Sequence, residues 1–272
     1  MKIALCLFGY VGSTSTKTNA CALTDNFEYI KNNILKTSSN IDVFIHSWQK
    51  EEENKISNLL QPKYYIFETQ KKFQNELQKI DWKRFKDSYQ DPFKAFSATY
   101  SRQRSNHLKC LHENENGFKY DCVITSRFDI GYHNSRKNKT SYIDFNPNFD
   151  MKNVYSAYWS QINAGPSDHW FYGNSKNIDK ICSLYDKLNT YLSPNSEYIQ
   201  KMTKGMFDTN ADDWFSNEFL KKNKTSNLHH YTEDYCLNLH TLFKWHMYKE
   251  DLWNIEICKF LNEDMWAPGE TR

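Results

Sequence analysis

Residues 122–132 read CVITSRFDIGY, an apolar run that ends in two charged side chains, Arg127 and Asp129. An unpaired charge in a protein interior is costly. In an extended chain these two side chains point to the same face. Either they satisfy each other or other protein groups, or they face a ligand. In the second case Asp129 suits Mg²⁺ or Mn²⁺ bound to a diphosphate, and Arg127 suits an oxyanion.

Polar residues also follow two other apolar runs. Gly9 and Tyr10 come directly after IALCLF, and His46 ends the run IDVFIH. Glycine allows a backbone to approach a ligand closely. The surrounding sequence has neither the GxGxxG spacing of a dinucleotide site nor a Walker lysine. An ordinary turn and a structural His–Ser pair therefore stay open beside a ligand-binding role.

The elements that must position these residues alternate along the chain. Apolar runs predict strands, and helical spacing of apolar residues predicts helices between them. The predicted strands are 2–8, 41–46, 63–68, 120–126, 153–158 and 169–173. The predicted helices are 24–36, 52–60, 94–114, 175–191 and 211–222, with an irregular stretch at 69–93 and a polar hairpin-like stretch at 134–142. This order predicts a mostly parallel sheet with helices on both faces, whose ligands bind beyond the carboxyl ends of the strands.

Composition narrows the class of protein. A chain of 272 residues with 39% hydrophobic residues is long enough for a buried core. A net charge of +2 gives no electrostatic signature of nucleic-acid binding. The seven cysteines include no CxxC pair, which predicts free thiols in a reducing compartment. We expect a cytoplasmic protein without a transmembrane segment, whose apolar N-terminus is a buried strand rather than a signal peptide.

Several phrases of the sequence resemble one family of enzymes. DVFIHSW (42–48), the pair Tyr100-Ser101, and YDCVITSRFD (120–129) occur in the order found in small bacterial and viral glycosyltransferase-like proteins of polysaccharide clusters. The proteins of this family are similar to GT-A-type nucleotide-sugar glycosyltransferases. The resemblance of this chain to them covers roughly residues 1–175. One departure is that Arg127 stands where a DxD motif has its first aspartate. An arginine can itself neutralise phosphate charge.

The resemblance gives the helix 94–114 a role. Ser101, Arg104, Ser105 and Leu108 share one helical stripe, which in a GT-A enzyme can face the nucleotide. The alternative is a solvated basic face. Arg104 is preferred to Arg102 as a donor contact because it shares the stripe with Ser101.

The resemblance also suggests roles in the second half of the chain. Asp168 could orient a sugar hydroxyl and Trp170 could stack on a sugar ring, unless they form a capped turn before an aromatic core strand. Asp213 and Glu218 are candidates for the carboxylate base of an inverting enzyme, although acidic residues at a helix start are expected for dipole reasons alone. His240 is expected to be a core or surface histidine.

The resemblance thus implies an α/β, GT-A-like fold with a mostly parallel central sheet flanked by helices. It implies a single domain over 1–272, with a nucleotide-binding half (1–132), an acceptor half (133–264) and a loose tail (265–272). The expected donor-binding residues are Gly9, Tyr10, His46, Ser101, Arg104, Arg127 and Asp129. The expected catalytic carboxylates are Asp168, Asp213 and Glu218, and Asp129 is the expected ligand of Mn²⁺ or Mg²⁺.

The implied reaction is transfer of a sugar from a nucleotide diphosphate donor to a hydroxyl of a glycan acceptor, with inversion and retention both open. One alternative is a catalytically inactive GT-A-like protein that binds a glycan or a nucleotide. Another is a different nucleotide-dependent phosphotransferase.

Overall fold

A computed structural model describes residues 1–11, 23–80, 92–128, 143–159, 165–203, 239–254 and 256–263. Three of the predicted site residues, Asp129, Asp213 and Glu218, lie outside these ranges. So do the polar stretch 134–142, the predicted helix 211–222 and the predicted tail 265–272. The expectations for these positions stay predictions.

The described strands form one sheet with the order β3-β2-β1-β4-β6-β5-β7. Their bounds are β1 Ile3–Gly9, β2 Ile41–Ser47, β3 Tyr64–Phe67, β4 Cys122–Arg127, β5 Val154–Trp159, β6 Gly165–Gly173 and β7 Cys258–Glu263. Strands β1 to β4 pair in parallel, as do β5 and β7. Only β6 runs against its neighbours, β4 and β5, within this described sheet. The predicted α/β class with a mostly parallel sheet is confirmed.

Helices cover both faces of the sheet. Their bounds are α1 Leu23–Asn33, α2 Glu53–Leu60, α3 Gln74–Leu77, α4 Pro92–Asn116, α5 Ser175–Cys182, α6 Leu184–Tyr191, α7 Glu197–Thr203 and α8 Leu239–Lys249. Short 3-10 turns follow α1 at Leu35–Thr37 and precede α2 at Lys50–Glu52. Among the described helices, none combines the length and the apolar composition that a bilayer crossing requires.

The core lies on both sides of β1, which explains its continuous apolar run. Ala4 and Cys6 contribute to the cluster that includes residues of α4, α5, α6 and α8. Ile3, Leu5 and Leu7 contribute to the opposite cluster, with residues of α1 and α2. The N-terminal run is therefore the buried strand that the sequence predicts. The five described cysteines are free thiols.

Three predicted elements differ from the observed ones. The predicted helix 175–191 is two helices, separated at Ser183, whose hydroxyl bonds the Lys180 carbonyl oxygen and His246 Nε2. The predicted strand 169–173 begins at Gly165, because its first residues pair with β5. The predicted irregular stretch 69–93 contains the short helix α3 and the start of α4.

Candidate functional site

The topology brings four strand ends to one edge of the sheet. The carboxyl ends of the parallel strands β1, β2 and β4 carry Gly9, His46 and Arg127. Strand β6 is antiparallel, so it is its beginning that lies at this edge. The pairing of β4 with β6 ends at Ser126 and Trp170, so Arg127 and Asp168 lie just beyond the last pair of these two strands. Four of the predicted site residues thus lie at one edge: Gly9, His46, Arg127 and Asp168.

Asp168 is the buried carboxylate of this edge, with 7% of the residue exposed. Its Oδ1 lies 3.7 Å from His240 Nε2 and 3.9 Å from His169 Nε2. Burial raises the pKa of an aspartate, but electrostatic interactions with His169, His240, Arg127 and Arg102 outweigh that effect and lower the pKa of Asp168. Asp168 is therefore an ionised carboxylate with two arginines and two histidines as its electrostatic partners.

Arg102 lies behind Asp168, with 1% of the residue exposed. Its Nη2 donates a hydrogen bond to the backbone oxygen of Asp168. The guanidinium lies over the rings of Phe8, Phe171 and Phe243, with its central carbon 4.5, 5.0 and 4.6 Å from their centroids. Burial lowers the pKa of Arg102 to about 10, so the group remains charged at neutral pH. Its Nε and Nη1 have no hydrogen-bond partner within the described ranges.

The turn after β1 is held at its first residue. Gly9 has a φ of 98°, a conformation that L side chains rarely adopt, so glycine is required here. Its N–H donates to Ser101 Oγ at 2.9 Å. Its carbonyl oxygen accepts from the backbone N–H of Trp48 at 3.4 Å. The turn is thus joined to α4 and to the segment after β2.

The next two residues of the turn are held by glutamines. The Tyr10 hydroxyl donates to Gln70 Oε1 at 3.1 Å, and the Val11 N–H donates to Gln49 Oε1 at 2.6 Å. Tyr10 is 40% exposed, so its ring remains accessible while its hydroxyl is fixed. The backbone of this turn is therefore preorganised before any ligand arrives.

His46 and Ser101 form a buried chain with Glu68. The Nδ1 atom of His46 lies 2.7 Å from Ser101 Oγ, and its Nε2 atom lies 2.9 Å from Glu68 Oε1. Both His46 and Ser101 are fully buried. Burial also lowers the pKa of His46, which favours the neutral ring. The direct donor contact expected of His46 and Ser101 is not available to side chains enclosed in this way, and the structure instead links them to Gly9.

The predicted stripe of α4 faces the sheet. Ser101, Ser105 and Leu108 are buried, so the alternative of a solvated face does not describe them. Arg104 is partly exposed, and its charge contributes to lowering the pKa of His46. Arg104 therefore acts on the side of His46, whereas Arg102, which the sequence argument set aside, lies beside Asp168.

Trp170 does not have the role that the sequence suggested. It is fully buried and stacks on Tyr172, with ring centroids 5.9 Å apart. A side chain in this position cannot stack on a bound sugar, because no face of it reaches solvent. The aromatic core strand, the other interpretation of this segment, is what the structure contains.

The described residues do not fit a divalent cation at this edge. The guanidinium groups of Arg102 and Arg127 lie near Asp168, and their positive charge opposes a metal ion there. A group of possible ligands, Cys110, Glu113 and Asp179, occurs on the helices α4 and α5. There the ammonium of Lys109 already bonds both carboxylates, at 3.1 and 2.7 Å. The expected metal ligand Asp129 lies outside the described residues.

Sequence reasoning missed Glu68 and His169, set Arg102 aside in favour of Arg104, and expected His240 in the core or at the surface without a place beside Asp168. His240 is buried, and its Nδ1 bonds the carbonyl oxygen of Pro166 at 2.9 Å. It belongs to α8, an element that the sequence did not predict. Arg102 could have been found, because an arginine inside a long helix that packs on a sheet must find a buried partner.

Neither models of known protein families nor curated proteins match the chain. Among solved structures, a cytidylyltransferase from Leptospira borgpetersenii serovar Hardjo-bovis is 12% identical, with a TM-score of 0.35 over 75% of this chain and 73% of that one. A protein named as a nucleotide-diphospho-sugar transferase, from Desulfovibrio desulfuricans, is 11% identical, with a TM-score of 0.32 over 82% and 96% of the two chains. Likenesses at this level carry no argument about activity, which has to come from the site.

Proposed function

We propose that the chain is a glycosyltransferase that moves a sugar from a nucleotide diphosphate donor to a hydroxyl of a glycan acceptor. The observation that carries the proposal is the charge at the carboxyl edge of the parallel strands. There the partly exposed Arg127 lies near Asp168, with the fully buried Arg102 behind it. Ligands of open α/β sheets bind outside this edge.

The reaction needs positive charge at one place. When the sugar leaves its donor, negative charge grows on the departing diphosphate. Arg127 can donate two parallel hydrogen bonds to phosphate oxygens, as guanidinium groups do. Arg102 contributes a fixed positive potential from within the protein, where water does not screen it. These two groups supply electrostatic stabilisation of the departing diphosphate.

Asp168 suits an orienting role better than that of a strong base. Its lowered pKa keeps it ionised, and an ionised carboxylate accepts hydrogen bonds from sugar hydroxyls. The same lowered pKa makes it a weak proton acceptor. The base of an inverting reaction is then left to Asp213 or Glu218, as the sequence suggested.

The first test is thermal unfolding with UDP, GDP, CDP and ADP, each with and without Mn²⁺. A nucleotide at a hundred times its Kd stabilises the folded state by about 2.7 kcal/mol. For a domain of this size that is a rise in Tm of roughly 5–10 °C. We expect such a rise for one nucleotide class, its loss in Arg127→Gln, and its retention in the control Lys36→Gln, whose ammonium bonds only Asn32 among the contacts described.

Donor turnover completes the test. The nucleotide sugar of the class that binds is incubated with the protein, and the products are identified by mass. Release of the sugar with a nucleoside diphosphate supports the transferase, and transfer of a phosphoryl or nucleotidyl group would mean a phosphotransferase. Tight nucleotide binding without any turnover would mean the inactive binding protein. Absence of a Tm shift with all four nucleotides at millimolar concentration overturns the proposal.

A further inference from the structure

A continuous chain of hydrogen bonds runs from the protein surface to the turn after β1. It begins at Glu68, whose side chain is 39% exposed, and passes through His46 and Ser101 to the N–H of Gly9. The three heavy-atom distances are 2.9, 2.7 and 2.9 Å. Glu68 is itself fixed by its backbone N–H, which donates to the Ser47 oxygen at 2.9 Å.

The directions of the hydrogen bonds follow from the carboxylate. Ionised Glu68 is only an acceptor, so Nε2 of His46 carries the proton. In a neutral ring Nδ1 then has a lone pair and accepts from the Ser101 hydroxyl. The Ser101 oxygen is left with its own lone pairs toward the Gly9 N–H. The Ser101 hydroxyl has a second acceptor, the His46 carbonyl oxygen, but at 3.4 Å this contact is longer than the 2.7 Å to Nδ1. Glu68 therefore favours the orientation of the acceptor that holds Gly9.

The same three residue types form the catalytic triads of hydrolases, but this chain is not arranged for nucleophilic attack. Ser101 lies in the middle of α4 and has no exposed surface. Its oxygen already accepts a hydrogen bond from the backbone of the turn. A nucleophile must reach the substrate, which this hydroxyl cannot do.

We propose that Glu68 is a positioning residue, which acts through His46 and Ser101 to hold the Gly9 turn in the conformation that receives the nucleotide. This inference rests on the proposed function. Glu68 lies on the far side of His46 from the turn and touches no part of it in the described contacts. Its effect on the ligand would be indirect, through a backbone that is fixed in advance.

The variants Glu68→Ala and Glu68→Gln test the chain. Alanine removes the acceptor for His46 Nε2, whereas the glutamine oxygen can replace it. Glu28→Ala is the matched control. Glu28 is an exposed carboxylate on helix α1 that pairs with Lys31 at 3.6 Å, so its removal takes away the same charge at a place apart from the hydrogen-bond chain. Nitrogen-15 chemical shifts of His46 report the tautomer, and hydrogen exchange of the Gly9 amide reports the turn.

We expect Glu68→Ala to change the His46 tautomer, to accelerate exchange at Gly9 at least tenfold and to weaken nucleotide binding at least fivefold. Glu68→Gln should restore binding to within twofold, and Glu28→Ala should change none of these quantities. Unchanged exchange at Gly9 in Glu68→Ala overturns the inference, and so does accelerated exchange with unchanged affinity. If the parent protein binds no nucleotide, the proposed function fails. The His46 tautomer and the Gly9 exchange rate then still decide whether the hydrogen bonds from Glu68 hold the turn.

Discussion

Replacing Lys109 by methionine should destabilise the protein more than any exposed charge change. The Lys109 ammonium is fully buried between α4 and α5. It donates to Glu113 Oε2 at 3.1 Å, Asp179 Oδ1 at 2.7 Å and Ser175 Oγ at 2.7 Å. Methionine fills a similar volume but leaves the fully buried Glu113 carboxylate with one cation fewer.

The structure provides its own control for the magnitude. Lys119 bonds the same Glu113 oxygen at 2.8 Å, but its side chain is 61% exposed. Breaking a buried ion pair by removing one partner costs about 3–5 kcal/mol. In the Lys119 pair the ammonium stays in water, so we expect its contribution to lie nearer the roughly 0–1 kcal/mol of exposed pairs. Since domains are stable by roughly 5–15 kcal/mol, Lys109→Met should consume a large share of the total.

The measurement is urea unfolding at pH 7 for the parent, Lys109→Met and Lys119→Met. We expect the midpoint to fall strongly in the first variant and hardly at all in the second, with equal m-values, because the exposed area is unchanged. Equal midpoints for the two variants would refute the reasoning that burial, rather than distance, decides the contribution of these lysines.

Three further predictions concern stability. Burial lowers the pKa of His246, as it does that of His46, so the unfolded chain takes up protons near pH 6.5 that the folded one refuses. The free energy of unfolding should therefore be highest above pH 6.5 and fall on acidification by about 1.4 kcal/mol per pH unit for each proton taken up. We expect a flatter pH dependence in His246→Asn. A urea midpoint that does not change with pH would contradict this. Asn174→Ala should cost about 1 kcal/mol in urea unfolding, because its side chain caps α5 by accepting from the Asn177 N–H, while Asn174→Ser should cost less. Gly173→Ala should lower the Tm, because a Cβ there would lie 2.5 Å from the backbone oxygen of Asn153, and an unchanged Tm would show that this backbone yields freely.

The parallel half of the sheet could be predicted because its strands are buried on both faces. Continuous apolar runs such as that of β1 are typical of this situation, and they carry a signal that one sequence reveals. Helix α8 escaped prediction for a related reason. Its residues from Leu239 to Met247 are all buried, so it shows no alternation between an apolar and a polar face.

The arrangement of the site could be predicted only where the position of a residue within its own strand decides where it lies. The common position of Gly9, His46 and Arg127 at one edge could be predicted, because each lies at or next to the end of a strand and parallel strand ends meet there. The contacts of Arg102 come from Phe8, Asp168 and other residues far away in the chain, so its place depends on the packed structure. Helical spacing instead directed attention to Arg104, because spacing within one helix says nothing about what faces it.

The order of the strands has a consequence for the nascent chain. Strand β5 lies between β6, which follows it directly, and β7, whose residues come about 100 positions later. At ribosomal rates of roughly 5–20 residues per second, the edge of β5 that later pairs with β7 waits for about 5–20 s. During that time it offers unpaired N–H and C=O groups to any passing strand. We expect ribosome-bound chains that stop before Cys258 to depend on chaperones to a degree that the full chain does not.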